Sequence, residues 1–409
     1  MLYMKSLEPA ASDTDMLVIP VCEDAELHDH PLLSSMVARM QKLAEFKGAK
    51  GDEVVLYDPP GAKAHRVLFS GLGPAADTDR EVLRAAGGRA VKQALQKKLL
   101  NIAVDVPSLD LPEITQEALI ESLLEGAVLA NHRFVAYKTD KDHRPLKRID
   151  LLVPPEIARA CAKLSARVRE ICKGSLMARD WVNMPANDKT PAALARSITG
   201  RARKSGLQVK TFGQKELQKE KFGAIIAVSA ASRNPPAMVE LVHAPKGVRK
   251  TVVIVGKGVT FDSGGLNLKI SKTLSMMKSD MAGAAAAAAA LLAIARLKPK
   301  LRVVGIVPLV ENMLSGSATR PGDIIRTYNG KTVEIGNTDA EGRLILADAI
   351  AYAVARHKPD FLIDVATLTG ACVMALGEGM AGLFSNNEPL AAAILQSAEI
   401  THERCWRMP

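Results

Sequence analysis

Four carboxylates and three cations stand beside glycine-rich or polar turns in the second half of the chain. Each turn follows or precedes an apolar run, so these side chains occupy the ends of predicted elements. Like-charged carboxylates are costly to hold together unless a cation neutralises them, and a divalent metal ion is the natural occupant of such a cluster. The residues are Asp262, Asp280, Asp339 and Glu341, with Lys257, Lys269 and Arg343.

The chemistry that such a cluster supports is metal-assisted hydrolysis. Oxygen-rich ligands favour Mn²⁺, Mg²⁺, Zn²⁺ or Co²⁺ over copper. Carboxylates shared between two ions would suit a hydrolase in which one ion generates hydroxide and both ions stabilise the tetrahedral intermediate. The alternative, in which each carboxylate only caps its own loop, stays open for each segment taken singly, because Asp280 stands where a helix macrodipole favours negative charge.

The chain lacks the signature motifs of several common enzyme classes. The sequence contains no H-E-x-x-H, G-x-S-x-G or G-x-x-x-x-G-K-[ST] pattern, which removes the strongest signatures of common zinc proteases, α/β-hydrolases and P-loop enzymes. The eight histidines show no metal-ligand spacing. The carboxylate cluster is therefore the best candidate site.

Composition and charge limit the class of protein further. A chain of 409 residues that is 48% hydrophobic predicts more than one compact domain. Five scattered cysteines with no C-x-x-C spacing argue against a disulfide framework and favour a reducing cytosol. The longest apolar stretch, 284–295, is shorter than the roughly 20 residues that span a bilayer, and no secretory signal is visible. We therefore expect a cytoplasmic protein with no membrane partner.

Net charge is distributed unevenly. The chain carries +10, but residues 1–150 hold 19 Lys and Arg against 23 Asp and Glu, so they contribute −4 and the remainder +14. A basic half would suit nucleic acid, but scattered basic residues are typical of a solvated surface. Nucleic acid is an open but less favoured partner.

The first half alternates short apolar runs with amphipathic stretches. Strands are predicted at 16–21, 53–57, 66–69, 101–105 and 149–153, and helices at 80–99 and 114–129. This pattern is typical of an α/β domain. A long helical pattern follows to about residue 181, with a gap in apolar spacing near Lys173 and Gly174. We place a domain boundary near residue 155, with this helix as the connection.

The second half repeats the alternation. Strands are predicted at 207–212, 223–228, 237–242, 251–255, 301–308 and 361–365, helices at 281–297 and 344–357, and a hairpin at 326–335 turned by Asn329 and Gly330. Near-continuous apolar strands such as 251–255 fit a central sheet covered on both faces. Open α/β sheets bind ligands at the carboxyl ends of their strands, which is where the candidate residues lie.

Three segments, 256–269, 277–281 and 337–344, closely resemble those of the leucyl aminopeptidase family, the dizinc, hexameric cytosol aminopeptidases. Residues 337–344 match the family's signature octapeptide in full. The resemblance runs from about residue 179 to the end and is looser over the first 150 residues. It implies an α/β protein with a smaller macro-like N-terminal domain (1–155), a linking helix (156–180) and a larger catalytic domain (181–409) with a mostly parallel central sheet flanked by helices.

The resemblance also implies a function and partners. A cytoplasmic homohexamer would release N-terminal residues from peptides, preferring leucine or other bulky apolar residues, by two-metal activation of a bridging water. The metal ions would be Mn²⁺ or Zn²⁺, with Mg²⁺ or Co²⁺ as alternatives. A non-catalytic or inactive homologue that binds DNA is the alternative function.

By position, the resemblance assigns roles to individual residues. Asp262 and Glu341 would bridge the metals, Lys257 and Asp280 would complete the tighter site, and Asp339 the more exchangeable one. Lys269 would polarise the scissile carbonyl, and Arg343 would hold a bicarbonate as general base. The substrate-binding residues would be Met277, Asn337, Thr367 and Gly370.

The sequence departs from the family pattern in two places. Ile270 replaces the usual proline after Lys269, and residues 271–275 differ from the usual loop. Family members continue beyond the position of Pro409, so the resemblance implies a catalytic domain that is shortened at its C-terminus.

Overall fold

The computed structural model describes residues 2–107, 114–139, 144–270 and 272–409. The chain divides into two compact units. The first holds the chain up to Cys172 together with Ser397–Glu403, and the second holds Lys173–Gln396 and Arg404–Pro409. The division falls within the helix Leu164–Asn183.

The elements of the first unit alternate as expected for an α/β fold. The strands are β1 (Leu2–Lys5), β2 (Met16–Cys22), β3 (Glu53–Tyr57), β4 (Arg66–Gly73), β5 (Asn101–Asp105) and β6 (Arg148–Leu152). The α-helices are α1 (Pro31–Met40), α2 (Arg80–Gln96), α3 (Gln116–Ala130), α4 (Pro155–Ala160) and α5 (Leu164–Asn183), whose end belongs to the second unit. The 3-10 helices Pro9–Ala11 and Ala75–Asp77 also belong to the first unit.

The first unit is built on one six-stranded sheet in the order β1-β6-β5-β2-β4-β3. All neighbouring strands are parallel except β3 and β4. Every residue of β2 is buried, and its side chains alternate between two apolar cores: Met16 and Val18 lie in one, Leu17 and Ile19 in the other. A strand that is buried on both faces needs a continuous apolar run, and this run is what predicted the strand from the sequence.

The second unit contains the remaining elements. Its strands are β7 (Gln208–Phe212), β8 (Ala237–His243), β9 (Thr251–Gly256), β10 (Gly258–Asp262), β11 (Arg302–Asn312), β12 (Ile324–Arg326), β13 (Thr332–Glu334), β14 (Phe361–Val365), β15 (Ala381–Leu383) and β16 (Cys405–Arg407). Its helices are α6 (Pro191–Lys204), α7 (Gln214–Lys219), α8 (Gly223–Ser229), the 3-10 helix Lys272–Ser279, α9 (Ala282–Leu297), α10 (Glu341–His357), α11 (Ala371–Leu376) and the first part of α12 (Glu388–Thr401).

The main sheet of this unit has the order β14-β9-β11-β8-β7. β14, β9 and β11 run parallel, whereas β8 is antiparallel to both β11 and β7. β11 is long enough to pair with β9 through its first half and with β10 through its second. The two-unit α/β architecture confirms the predicted fold class.

Helix α9 lies very close to the sheet. A Cβ added to Gly256 would lie 2.4 Å from the carbonyl oxygen of Gly283, and one added to Gly283 would lie 2.0 Å from that of Val365. The helical run Leu274–Leu297 is long and apolar enough to cross a membrane, but 61% of its most apolar window is buried inside the protein, as in a core helix. Small side chains therefore serve close packing here.

Two predicted elements were wrong. Residues 223–228 form helix α8, not a strand, because the buried Asp348 carboxylate accepts hydrogen bonds from the Ala224 and Ile225 backbone N–H groups at 2.9 and 3.0 Å and so caps a helix. The helical pattern before residue 181 breaks between α4 and α5, whereas Lys173 and Gly174 lie inside the continuous α5.

Candidate metal centre

Three buried carboxylates converge where four elements of the second unit end or begin. Asp262 is the last residue of β10, Asp280 precedes α9, and Glu341 is the first residue of α10. Oxygens of all three lie within 4.8 Å of one another, and none of the residues is more than 6% exposed. The carboxyl ends of β9 and β10 and the starts of α9 and α10 therefore create a single acidic cluster.

Lys257 lies at the centre of this cluster. Its Nζ is 2.8 Å from Asp280 Oδ1 and 2.9 Å from Glu341 Oε1, and it donates to the Thr367 carbonyl at 2.7 Å. Burial lowers the pKa of this amine, but the Glu341 and Asp280 charges outweigh that effect and raise it. In this geometry Lys257 is an ammonium that neutralises part of the cluster.

The backbone around Lys257 explains its position. Its N–H donates to the Val365 carbonyl at 3.0 Å, and its carbonyl accepts from the Ala284 N–H at 2.8 Å. The second bond satisfies an orphan N–H in the first turn of α9. Lys257 is thus fixed to β14 and to α9 by its main chain, and the short peptide between β9 and β10 has little freedom to move.

Lys269 holds the fourth carboxylate against the cluster. Its Nζ lies 2.9 Å from Asp262 Oδ2 and 2.6 Å from Asp339 Oδ1. Burial lowers the pKa of Lys269, but Asp339 and Asp262 together raise it above its usual value. Counted as ionised groups, four carboxylates and two ammonium groups meet here, a formal net charge of −2.

A glycine turn sets the position of Lys269. Gly264 has φ +88°, and a Cβ there would lie 2.4 Å from the carbonyl oxygen of Asn267. The turn closes through a 2.9 Å hydrogen bond from the Lys269 N–H to the Ser263 carbonyl. Only glycine at position 264 meets both the backbone conformation and the contact, so this turn determines where the Lys269 backbone lies.

Within the described part of the chain, two oxygens of the three buried carboxylates have no hydrogen-bond partner: Asp280 Oδ2 and Glu341 Oε2. Burial raises the pKa of both groups, that of Glu341 to about 7. Unsatisfied buried acceptors are costly, and a divalent cation would satisfy both. Carboxylate oxygens with one amine nitrogen also form a donor set that Zn²⁺ or Mn²⁺ accepts, so the residues fit the metal ions that the sequence predicts.

Asn312 is a polar residue of the site that sequence reasoning did not select. It ends β11 directly opposite Asp262, and its amide donates to Asp262 Oδ1 at 2.8 Å and to the Thr338 carbonyl at 3.0 Å. Its own carbonyl accepts from the Ser263 N–H. Only the pairing of β10 with β11 identifies this residue, because a single asparagine at a strand end is common.

The remaining predicted residues lie on the segments around the cluster. Thr367 contacts it directly: its hydroxyl donates to Asp280 Oδ1 at 2.7 Å. Asn337 is exposed and accepts from the Asp339 N–H at 2.8 Å. Arg343 is exposed in the first turn of α10, Met277 is half-buried in the 3-10 helix, and Gly370 precedes α11.

Comparison with known proteins matches both halves of the chain. Residues 18–141 match the N-terminal domain of the cytosol aminopeptidase family, and residues 176–409 match its catalytic domain. A probable cytosol aminopeptidase from Chlorobium luteolum is 41% identical, with 97% of this chain aligned to 82% of the relative.

Solved structures give the same result. The bottromycin maturation enzyme BotP in complex with Mn is 35% identical with a TM-score of 0.85, over 97% of this chain and 82% of that one. A mutant of tomato leucine aminopeptidase is 32% identical with a TM-score of 0.87, over 100% and 81%. With its acidic cluster intact and both domains matched, the chain belongs to the cytosol aminopeptidase family of metal-dependent peptide hydrolases.

Proposed function

We propose that this protein removes N-terminal residues from peptides by a two-metal mechanism, with a preference for leucine and other bulky apolar residues. The observation that carries the proposal is the buried trio Asp262, Asp280 and Glu341, with two unsatisfied oxygens, in the part of the chain matched to the family's catalytic domain. A cluster that is costly on its own becomes favourable once it binds cations.

Five residues would hold the metal ions. Asp262 and Glu341 would bridge them, Lys257 and Asp280 would complete one site, and Asp339 would complete the other. The ions would activate a bridging water and polarise the scissile carbonyl. Lys257 must be neutral to act as a ligand, and two adjacent dications would lower its pKa far enough.

Lys269 and Arg343 would act outside the metal shell. The Lys269 side chain is 20% exposed, so its ammonium borders both the cluster and solvent, where it would stabilise the negative charge that develops on the carbonyl oxygen. Arg343 would hold a bicarbonate through its planar guanidinium, and the bicarbonate would accept the proton of the attacking water. Met277, Thr367 and Gly370 would line the pocket for the first side chain of the substrate, and Asn337 would be a further substrate-binding residue.

The metals, compartment and assembly belong to the same proposal. Mn²⁺ or Zn²⁺ would occupy the sites, with Mg²⁺ or Co²⁺ as alternatives, and the Mn complex of BotP supports Mn²⁺. The relatives' name, cytosol aminopeptidase, supports the cytoplasm. A homohexamer is the assembly that the family resemblance implies. No observation favours the DNA-binding alternative.

The test is hydrolysis of leucine p-nitroanilide by the 409-residue chain in Mn²⁺ and bicarbonate, before and after chelation. Glu341→Ala removes one predicted bridging carboxylate, and N-acetyl-leucine p-nitroanilide removes the free amine of the substrate. Turnover that chelator, mutation and acetylation each abolish would support the proposal. Turnover that survives chelation, or equal cleavage of the acetylated substrate, would overturn it.

A further inference from the structure

Lys189 is a fully buried lysine whose hydrogen bonds go to neutral acceptors. The residue is 0% exposed, and its Nζ donates to the carbonyls of Trp181 at 2.7 Å, Val182 at 3.1 Å and Lys278 at 2.8 Å. It also lies 3.4 Å from Met281 Sδ. Burial, with a smaller contribution from the Lys278 charge, lowers the pKa of Lys189 to about 7. An interior cation of this kind is costly, so its contacts need an explanation.

The three carbonyls belong to two different helix ends. Trp181 and Val182 lie in the last turn of α5, where carbonyls lack an intrahelical partner and a cation is favoured by the macrodipole. Lys278 lies at the end of the 3-10 helix Lys272–Ser279. A second hydrogen bond connects the same two segments: the Lys278 amine donates to the Asn183 carbonyl at 3.2 Å. Lys189 therefore joins the end of α5 to the segment that leads into α9.

That segment carries the metal-centre residue Asp280. Asp280 comes two residues after the Lys278 carbonyl, and Met281, which contacts Lys189, comes directly after Asp280. The Asp280 carbonyl accepts from the Val259 N–H at 3.2 Å. Lys189 thus holds the backbone before Asp280, at the Lys278 carbonyl, and the side chain after it, at Met281 Sδ. The Asp280 carboxylate is held at Oδ1 by Lys257 and Thr367.

We propose that Lys189 is a positioning residue for the metal centre, fixing residues 278–281 so that Asp280 presents Oδ2 to a metal ion. The inference rests on the proposed metal-dependent function. Partners outside the ligand shell commonly change metal affinity by about 10- to 100-fold when removed. Lys189 would act on the backbone next to Asp280 and not on the Asp280 carboxylate itself. We expect a loss of metal affinity of the same size at the site that contains Asp280.

The test is Mn²⁺ binding by isothermal titration calorimetry on the full chain and on Lys189→Met, a variant of similar length without donors. We expect the affinity of one of the two ions to fall about 10- to 100-fold and that of the other to stay within about twofold. Turnover at low Mn²⁺ should fall in parallel and recover when Mn²⁺ is raised, because the lost property is affinity.

Leu194→Ala is the matched control. Leu194 is 2% exposed and lies in the same apolar core as Trp181 and Met281, so this variant should lower the melting temperature without touching the carbonyl of Lys278. Selective loss of one ion in Lys189→Met alone supports the inference. Wild-type affinities in Lys189→Met, or the same loss in both variants, overturn it.

The inference stays testable if the variant does not fold or if the chain binds no Mn²⁺. If Lys189→Met does not fold, Lys189→Leu removes the donors with a shorter apolar side chain, and unchanged affinity for both ions in that variant overturns the inference. If the wild-type chain binds no Mn²⁺ at all, the proposed metal-dependent function fails and this inference fails with it. Two ions bound equally well by wild type and variant would remove only the role of Lys189.

Discussion

Asn312 and Asp262 lie opposite each other at the ends of β11 and β10, and the asparagine amide donates to the carboxylate at 2.8 Å. The strand register places a neutral donor against a predicted bridging ligand. The bond occupies Oδ1 of Asp262, while Lys269 contacts Oδ2. The orientation of this carboxylate is therefore fixed from the sheet side before any ion binds.

Asn312→Ala should reduce metal affinity about 10- to 100-fold, because Asp262 loses the side-chain donor that orients it and keeps only the Gly264 N–H at Oδ1. Calorimetric titration with Mn²⁺ measures the change. Asn234→Ala is the control, since Asn234 donates to Glu311 at 2.9 Å and not to the cluster. Affinity in Asn312→Ala equal to that of the control would show that the amide does not orient the ligand.

Lys269→Ala and Asp339→Ala should separate catalysis from metal binding. Removing the Lys269 ammonium should lower turnover by about 10²- to 10³-fold while both ions remain bound, because in the proposed mechanism the amine would stabilise charge without acting as a ligand. Asp339→Ala should mainly weaken the more exchangeable ion. Metal content after dialysis, measured with turnover, distinguishes the two. Equal metal loss in both variants would contradict the assignment.

Gly264→Ala should abolish most activity by displacing the turn that carries Lys269. The added Cβ would lie 2.4 Å from the Asn267 carbonyl oxygen, and φ is +88°. Gly247→Ala is the matched control, because Gly247 has φ +77° but no atom within 4 Å of an added Cβ. Both variants carry backbone strain of about 1–2 kcal/mol, visible in thermal unfolding. Similar losses of turnover in the two variants would argue against the steric explanation.

The pH dependence of stability should report the burial of Lys189. Its folded-state pKa is about 7 against an unfolded value of 10.5, so between these values the unfolded chain binds more protons. The free energy of unfolding should therefore rise with pH across this window. Urea denaturation of wild type and Lys189→Met at pH 7.5 and 9.5 isolates the effect, with the smaller rise expected in the variant. Identical rises in the two proteins would show that the amine is not titrating in this range.

The residues of the acidic cluster could be predicted from the sequence because each lies in a short motif at the end of a recognisable strand or helix. Lys257 and Asp262 follow one apolar strand, Glu341 begins one helix, and such signals need only a few neighbouring residues. Comparable local signals predicted β3, β5 and β14 with their observed bounds. The roles assigned to the individual site residues remain predictions until the variants are measured.

Long-range contacts explain what the sequence did not predict. Residues 223–228 have the composition of a strand, but Asp348, 124 positions from Ala224, caps them as a helix. Asn312 is 50 positions from Asp262, and Lys189 is 89 positions from Lys278. A lone lysine in a sequence indicates solvent exposure, and only the surrounding carbonyls show that Lys189 is interior.

The close contact between Gly256 and Gly283 affects how the metal centre responds to heating and to substitution. No side chain separates α9 from the sheet at this point, so the spacing between Lys257 and Asp280 is set by main-chain van der Waals contact, which has no rotamers to populate on warming. Amide hydrogens there should exchange only with global unfolding. A bulkier residue at either glycine would have to displace the whole helix, and with it one side of the metal centre.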